Sequence, residues 1–230
     1  MPKKKVSRKQ LLREPDEFIS TTGKVLQFLR AHQRETILYG LVGLALLAAG
    51  SAGYLYIHWQ ESKALAMQQQ ASQLYEEAFR KAGGAEIEKE NYRRALEKFR
   101  EVQSVYRWGK VAEVSQVYIG NCYYALKEYD QAIAAYTRCL DGPFQSMACN
   151  GLGYSYEAKG DYAKAVENYQ KNAGEKGSPY RGEGLLGVGR CYEAQNQKQK
   201  ALEAYQKALG ENPQSPMAGF IQWKISELKG

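Results

Sequence analysis

The pattern of hydrophobic positions divides the chain into two parts. Residues 36–57 form a run of 22 uncharged residues, TILYGLVGLALLAAGSAGYLYI. A helix rises about 1.5 Å per residue, so the run is about 33 Å long, enough to cross a hydrocarbon core of about 30 Å. After the run, apolar residues recur at helical spacing in short segments that are separated by turn residues. The pattern predicts one transmembrane helix followed by an array of helices.

A cleaved signal peptide is the alternative interpretation of the apolar run. The hydrophobic region of a signal has about 7–15 residues and lies near the start, whereas 35 residues precede this run. Ala49-Gly50-Ser51 fits a cleavage site, but it lies inside the run. Aromatic residues also occur at both ends, as expected at membrane interfaces. We therefore predict an uncleaved anchor.

Charge favours one orientation of this anchor. Residues 1–35 hold nine Lys/Arg against four Asp/Glu, whereas residues 58–230 hold 23 against 21. Because cationic flanks stay on the cytoplasmic side of a bacterial inner membrane, we expect a cytoplasmic N-terminus and a periplasmic C-terminal domain. The net charge of +7 belongs mostly to the tail. The large domain has no basic block, which argues against nucleic-acid binding.

The basic tail, residues 1–35, contains an amphipathic segment. Pro15-Asp16 is a helix start, and one side of the following helix is apolar. Such a segment is typical of one that lies on an anionic leaflet, and a partly disordered tail is the alternative for residues 1–14. The apolar side comprises Phe18, Val25, Leu26, Phe28 and Leu29.

Small residues form a row within the predicted span. Ala45, Ala49 and Gly53 recur at four-residue spacing. Such a row lets a second helix approach closely, so it predicts packing against another membrane protein or a second copy of the chain. The alternative is that Ala and Gly are simply common in membrane spans.

Residues 58–82 predict a helical stalk. They contain no Gly or Pro and are rich in strong helix formers. We therefore expect the transmembrane helix to continue without a break, to supply the first repeat helix, and to end at Gly83-Gly84.

Residues 83–213 contain a degenerate repeat with periods of 33 and 36 residues. A glycine stands twelve residues before the alanine of each full copy, and a tyrosine follows that glycine by three; the segment around Ala95 matches only the second half. The full copies are Tyr129-x-x-Ala132-x-x-x-Tyr136 with Gly120, Tyr162-x-x-Ala165-x-x-x-Tyr169 with Gly153, and Lys198-x-x-Ala201-x-x-x-Tyr205 with Gly189.

These spacings resemble the tetratricopeptide repeat, a helix–turn–helix unit of 34 residues. The resemblance implies that the glycine and the alanine let the two helices touch, while the tyrosines fill the seam. The predicted fold is all-α: a single transmembrane helix that continues into a tetratricopeptide-repeat superhelix, with a capping helix at residues 214–230. Because the first and third copies depart from the pattern, we expect local irregularity at residues 83–90 and 173–180.

The residues after the span show no pattern for catalysis, a cofactor or a metal. The two histidines, His32 and His58, lie at or before the membrane boundary, which excludes Ser-His-Asp and Cys-His chemistry and His-containing metal sites in the repeat domain. Gly151-x-Gly153 and Gly187-x-Gly189 match a phosphate loop weakly, since both fall in the middle of predicted helices. We therefore predict a protein that is not an enzyme and needs no cofactor.

The four cysteines contain no C-x-x-C pair. We interpret Cys122, Cys139, Cys149 and Cys191 as small buried residues. A disulfide between Cys122 and Cys139 is the alternative if the domain is periplasmic.

The resemblance to tetratricopeptide repeats implies a peptide-binding groove on the first helices of the repeats. Val117 and Ala125 flank Asn121, so the lysines that clamp a C-terminal carboxylate in chaperone-binding members are missing. The remaining residues suit apolar or extended segments, and packing against a neighbouring helix is the alternative for several of them. The predicted groove residues are Val114, Val117, Asn121, Tyr124, Met147, Asn150, Tyr154, Glu157, Glu183, Leu186, Arg190 and Glu193.

The closing segment carries a second resemblance. Residues 215–228, with Ser215-Pro216-Met217 and Ile221-Gln222-Trp223-Lys224-Ile225, together with the layout of the chain, resemble the bacterial ancillary subunit of the SecYEG translocon. This implies a membrane-anchored adaptor that assists translocation or periplasmic folding of unfolded or extended clients. The expected partners are a membrane protein complex such as the Sec translocon, client peptides, anionic lipid at the tail and a second copy of the chain. A scaffold subunit of a division, secretion or pilus assembly is the alternative.

Overall fold

The computed structural model describes residues 17–80, 84–175 and 177–230, and over these ranges the chain forms helices and no strand. The predicted all-α class is confirmed. The helices are α1 Glu17–Ala31, α2 Gln33–Phe79, α3 Ala85–Val105, α4 Gly109–Ala125, α5 Tyr129–Thr137, α6 Gln145–Ala158, α7 Tyr162–Gly174, α8 Arg181–Ala194, α9 Lys198–Glu211 and α10 Ala218–Lys229.

The first of two compact units, residues 1–58, contains α1 and the first part of α2. Helix α2 is long and apolar enough to cross a membrane, by length and composition. Ala45, Ala49 and Gly53 are exposed. The apolar side chains Val25 and Phe28 of α1 are exposed as well. The predicted helix start at residues 15–16 and the side chain at position 18 lie outside the described part of the chain.

The second unit, residues 59–230, begins with the last part of α2. Ala64, Ala71 and Ala78 of this part are fully buried. Their spacing of seven residues places them on one face of the helix, and their small size lets α3 pack closely. The buried α3 residues in this contact include Tyr92 and Phe99. The last part of α2 is therefore the first helix of repeat one, and α3 is the second.

Three further helix pairs follow: α4 with α5, α6 with α7, and α8 with α9. Each pair shares a buried cluster with its neighbours, and the largest buried side chains are seam aromatics such as Phe99, Tyr169 and Tyr205. Helix α10 packs Ile221 and Phe220 onto the cluster that contains Tyr205. A solenoid needs such a closing element, because its last repeat has no neighbour to cover its apolar face.

The turns inside repeats two to four share one backbone feature. Lys127, Gly160 and Asn196 occupy equivalent positions between the paired helices, with φ of 63°, 78° and 57°. Positive φ costs little for glycine and is tolerated by asparagine, whereas lysine adopts it at a cost. The turn is therefore imposed on Lys127 by the packing of the helices on either side.

Two helix boundaries near residue 83 differ from the predicted ones. Helix α3 begins at Ala85, so the described residues 85–90 are regular helix rather than irregular. The sequence AEIEKE favours a helix, and the last part of α2 supplies the partner that the repeat pattern lacked. Helix α2 ends at Phe79, short of the predicted residue 82; residues 81–83 lie outside the described part. The predicted irregularity at 173–180 fits the connection between Gly174 and Arg181.

All four cysteines are free and buried. The alternative of a Cys122–Cys139 disulfide is therefore wrong for this structure, and the two side chains belong to different clusters.

Candidate functional site

The seam tyrosines are held between pairs of glycines. A Cβ added to Gly120 would lie 2.5 Å from the ring of Tyr136, and one added to Gly151 would lie 2.4 Å from the same ring. The ring thus touches the backbone of its own repeat on one side and that of the next repeat on the other. Sequence reasoning assigned a role only to Gly120, the glycine within the repeat. The sequence did contain an indication of the role of Gly151, because the pattern Gly151-x-Gly153 recurs one period later as Gly187-x-Gly189.

The seam tyrosines also direct their hydroxyls towards the first helices. The hydroxyl of Tyr136 donates to Asn121 Oδ1 at 2.6 Å, and that of Tyr169 donates to Glu157 Oε2 at 2.7 Å. Burial is the main cause that raises the pKa of both tyrosines above the ordinary value. Both hydroxyls therefore stay protonated at neutral pH and act as donors. These bonds fix the side chains of two predicted groove residues.

Polar side chains connect the last repeats along the same row. Arg190 Nε donates to Glu157 Oε1 at 2.7 Å and Arg190 Nη2 to Glu157 Oε2 at 2.8 Å, and the guanidinium lies 5.4 Å from the ring centroid of Tyr154. Lys224 of α10 donates to Glu193 Oε1 at 2.7 Å. Burial raises the pKa of Glu193, but hydrogen bonds from Lys224 and Tyr205 outweigh it, and the pKa lies below its ordinary value. Glu157 and Arg190 thus link repeats three and four, and Glu193 links repeat four to α10.

Six of the predicted residues line one open groove of about 660 Å³. Its walls come from the first helices of repeats one to three and the N-terminal half of α3. Sequence reasoning did not place the aromatic residues of α2 and α3 here, although Tyr75 and Phe79 stand four residues apart on one helical face. The predicted residues in the groove are Val117, Asn121, Tyr124, Met147, Asn150 and Tyr154, and the added aromatic residues are Tyr75, Phe79, Tyr92, Tyr136 and Tyr180.

One polar atom in the groove lacks a partner. Asn150 is only 6% exposed, and its Nδ2 donates to Glu183 Oε2 at 2.7 Å. Its Oδ1 is buried and accepts no hydrogen bond from the described residues. Buried acceptors are nearly always satisfied in folded proteins. The amide oxygen of Asn150 is therefore an acceptor that no donor among the described residues satisfies.

Several predicted groove residues lie elsewhere. Val117 touches the groove but is 1% exposed and belongs to the core of repeat two. Leu186 and Glu183 line a different cavity of about 490 Å³, beside α9 and α10. Val114 is half-buried and lines neither cavity. Among the described residues, no group of three or more His, Cys, Asp and Glu side chains is arranged to hold a metal ion.

Comparisons with known proteins agree with the repeat spacing. Sequence profiles of the tetratricopeptide repeat match residues 115–141 and 150–216. A search of curated protein sequences gives no significant match.

Several solved structures share the fold. A tetratricopeptide repeat protein from Parabacteroides merdae is 18% identical over 70% of this chain, with a TM-score of 0.52, and this chain covers 61% of its length. MamA from Desulfovibrio magneticus RS-1 is 17% identical, with coverages of 71% and 88% and a TM-score of 0.51. MamA of AMB-1 is 18% identical, with coverages of 73% and 81% and a TM-score of 0.51. At these identities the similarity shows the fold alone.

Proteins built from such repeats present extended concave surfaces and typically bind partner proteins. The profiles, the solved structures and the helix pairs described above agree with one another. Residues 115–141 and 150–216 of this chain are therefore tetratricopeptide repeats in a longer helical array.

Proposed function

We propose that this protein is a membrane-anchored, non-enzymatic adaptor whose repeats hold extended, apolar segments of other proteins. The observation that carries the proposal is the groove of about 660 Å³, which is lined by tyrosine, phenylalanine and methionine side chains and by Asn150, whose Oδ1 has no partner among the described residues. The volume lies within the range of known ligand sites and is sufficient for a few side chains of a peptide.

The chemistry of the groove favours an extended peptide. Aromatic rings offer apolar contact area with polar edges, and Met147 adapts its shape to different side chains. Asn150 Oδ1 accepts a hydrogen bond, which the backbone N–H of an extended segment supplies and a pure hydrocarbon does not. A partner segment with apolar side chains and free backbone amides satisfies both features.

The membrane anchor determines the cellular location of the proposed adaptor. In this proposal residues 36–57 of α2 span a bacterial inner membrane, the basic tail stays cytoplasmic on anionic lipid, and the repeats lie in the periplasm. The row of Ala45, Ala49 and Gly53 packs against a membrane protein complex or a second copy of the chain. The Sec translocon is the expected complex, and another envelope assembly is the alternative.

Site-specific photo-crosslinking tests the groove. A benzoylphenylalanine at Tyr124 lies in the groove, whereas one at Glu97, exposed on α3, serves as a matched control. In native membranes we expect crosslinked proteins at Tyr124 that are absent at Glu97, and loss of those products in an Asn150→Leu background. Identical products at both positions would count against the groove.

A crosslinker in the span identifies the partner. With the reactive group at Ala49 or Gly53, mass spectrometry of the products in native membranes should detect translocon subunits. Subunits of a division, secretion or pilus assembly would instead favour the scaffold alternative. Products that contain only this chain would indicate a homodimer.

A further inference from the structure

One exposed aromatic side chain outside the groove has no role in the repeats. Trp108 lies between α3 and α4 and is 78% exposed, the largest exposed fraction among the exposed large hydrophobic side chains that the structure describes. Burial of a tryptophan in the core is the usual outcome, since its surface is mostly apolar. The exposure of the ring follows from the structure of the residues on either side of it.

The loop of residues 106–110, here named the Trp108 loop, is firmly seated at its base. Tyr106 packs against the buried cluster of Ala64, Val102 and Val111. Gly109 has a φ of 74°, a conformation that glycine adopts easily and other residues rarely do. The loop therefore presents Trp108 to the outside from a fixed base.

The charges around Trp108 are mainly positive. Arg107 and Lys110 flank it in sequence, both are exposed, and neither forms an ion pair with the described residues. Arg107 also lines a cleft of about 510 Å³ together with Arg100 and Arg138, and Glu113 is the one acidic residue of that cleft. A tryptophan beside unpaired cationic groups is the combination that side chains at the edge of a membrane display.

We propose that the Trp108 loop contacts the phospholipid surface of the membrane in which the chain is anchored. The Trp108 ring enters the interface, and Arg107 and Lys110 contact the phosphates of anionic lipids. The proposal rests on the proposed membrane anchor. The occupant is lipid because the loop combines an apolar ring with cationic groups, in contrast to the groove, which offers a hydrogen-bond acceptor and no excess positive charge.

Fluorescence quenching tests the contact in the full chain. Variants with Trp108 as the single tryptophan (Trp59→Phe with Trp223→Phe) and with Trp223 as the single tryptophan are reconstituted into liposomes of phosphatidylglycerol and phosphatidylethanolamine with brominated acyl chains. We expect quenching of Trp108 and not of Trp223, which is 55% exposed on α10. Absence of Trp108 quenching, or equal quenching of both tryptophans, overturns the proposal.

Charge variants test the phosphate contacts. Each basic side chain near an anionic surface is worth about a fivefold change in affinity, so Arg107→Ala with Lys110→Ala should lower the ratio of docked to free loop roughly 25-fold. An unchanged ratio overturns the role of these two residues.

Co-flotation of the chain with the liposomes separates this proposal from the anchor. A chain that floats without Trp108 quenching leaves the anchor intact and refutes the loop contact. A chain that fails to float refutes the anchor, and the loop contact with it.

Discussion

The contact between Gly153 and Tyr169 makes a quantitative prediction about how the repeats are held together. A Cβ added to Gly153 would lie 2.4 Å from Cε1 of Tyr169. Carbon atoms pack at about 3.5–4.0 Å, so the ring in a Gly153→Ala variant must move by roughly 1 Å. The ring cannot move away freely, because the backbone at Gly187 encloses its other side, where an added Cβ would lie 2.6 Å from the ring.

The expected cost has two sources. Forcing an extra methyl into a packed core costs about 1–3 kcal/mol, and a displaced ring weakens the hydrogen bond from Tyr169 to the Glu157 carboxylate, which is worth about 1.5–3 kcal/mol. Alanine returns about 1 kcal/mol through its better helix propensity. We therefore expect Gly153→Ala to lower the free energy of unfolding by about 2–5 kcal/mol.

Thermal and urea denaturation of the full chain in detergent, followed by circular dichroism, measures this effect. At about 2–4 °C per kcal/mol, the melting temperature should fall by roughly 4–20 °C. Gly210→Ala is the matched control, because this helical glycine has no atom within 4 Å of an added Cβ. It should raise stability by up to about 1 kcal/mol.

A double variant completes the test. In a Tyr169→Leu background the aromatic ring is gone, so the further change Gly153→Ala should cost little, and the two changes should show strong coupling. If Gly153→Ala alone is as stable as the unmodified chain, the glycine is not required by the ring and the explanation of the Gly-x-Gly recurrence is wrong.

Three further predictions concern the turns, the ion-paired carboxylate of Glu193 and a buried thiol. Lys127→Gly should raise the free energy of unfolding by about 1 kcal/mol, because it removes strain at a φ of 63°, and should therefore raise the melting temperature. Gly160→Ala should lower the melting temperature, and unchanged melting temperatures in both variants would show that neither turn is strained. Because the pKa of Glu193 is lowered in the folded state, its contribution is complete above the ordinary value of 4.5 and is lost as pH falls through the folded pKa; Glu193→Gln should flatten this acid-side loss of stability, and parallel pH profiles would contradict the assignment. Burial raises the pKa of Cys122 to about 12, so iodoacetamide at pH 8 should label it far more slowly in the folded chain than in urea, and rapid labelling of the folded chain would refute its burial.

The sequence was sufficient to predict the repeats because their signal is local. Gly120, Ala132 and Tyr136 meet across a single helix pair, so their spacing alone indicates the contact. The first copy was harder to recognise, because its first helix is the last part of α2, where Ala71 and Ala78 replace the glycine–tyrosine pattern.

Contacts between repeats were not predicted, because they depend on how successive first helices stack. Arg190 with Glu157, and Asn150 with Glu183, are both separated by 33 residues, one repeat period. A search for complementary side chains one period apart would have found both pairs. Without it, Arg190 and Glu157 were assigned to a free groove surface, whereas the structure pairs them with each other.

This pairing divides the row of predicted groove residues into two functional halves. In repeats three and four, Glu157, Arg190 and Glu193 satisfy one another or Lys224, so a ligand there must first break charged hydrogen bonds, at a cost of about 1.5–3 kcal/mol each. In repeats one to three, Tyr124 and Tyr154 line an open groove and Asn150 Oδ1 has no partner to lose. In the proposed function we therefore expect binding in the half of the array that begins with α2, whereas the ion pairs of the other half join Glu157 to Arg190 and Glu193 to Lys224.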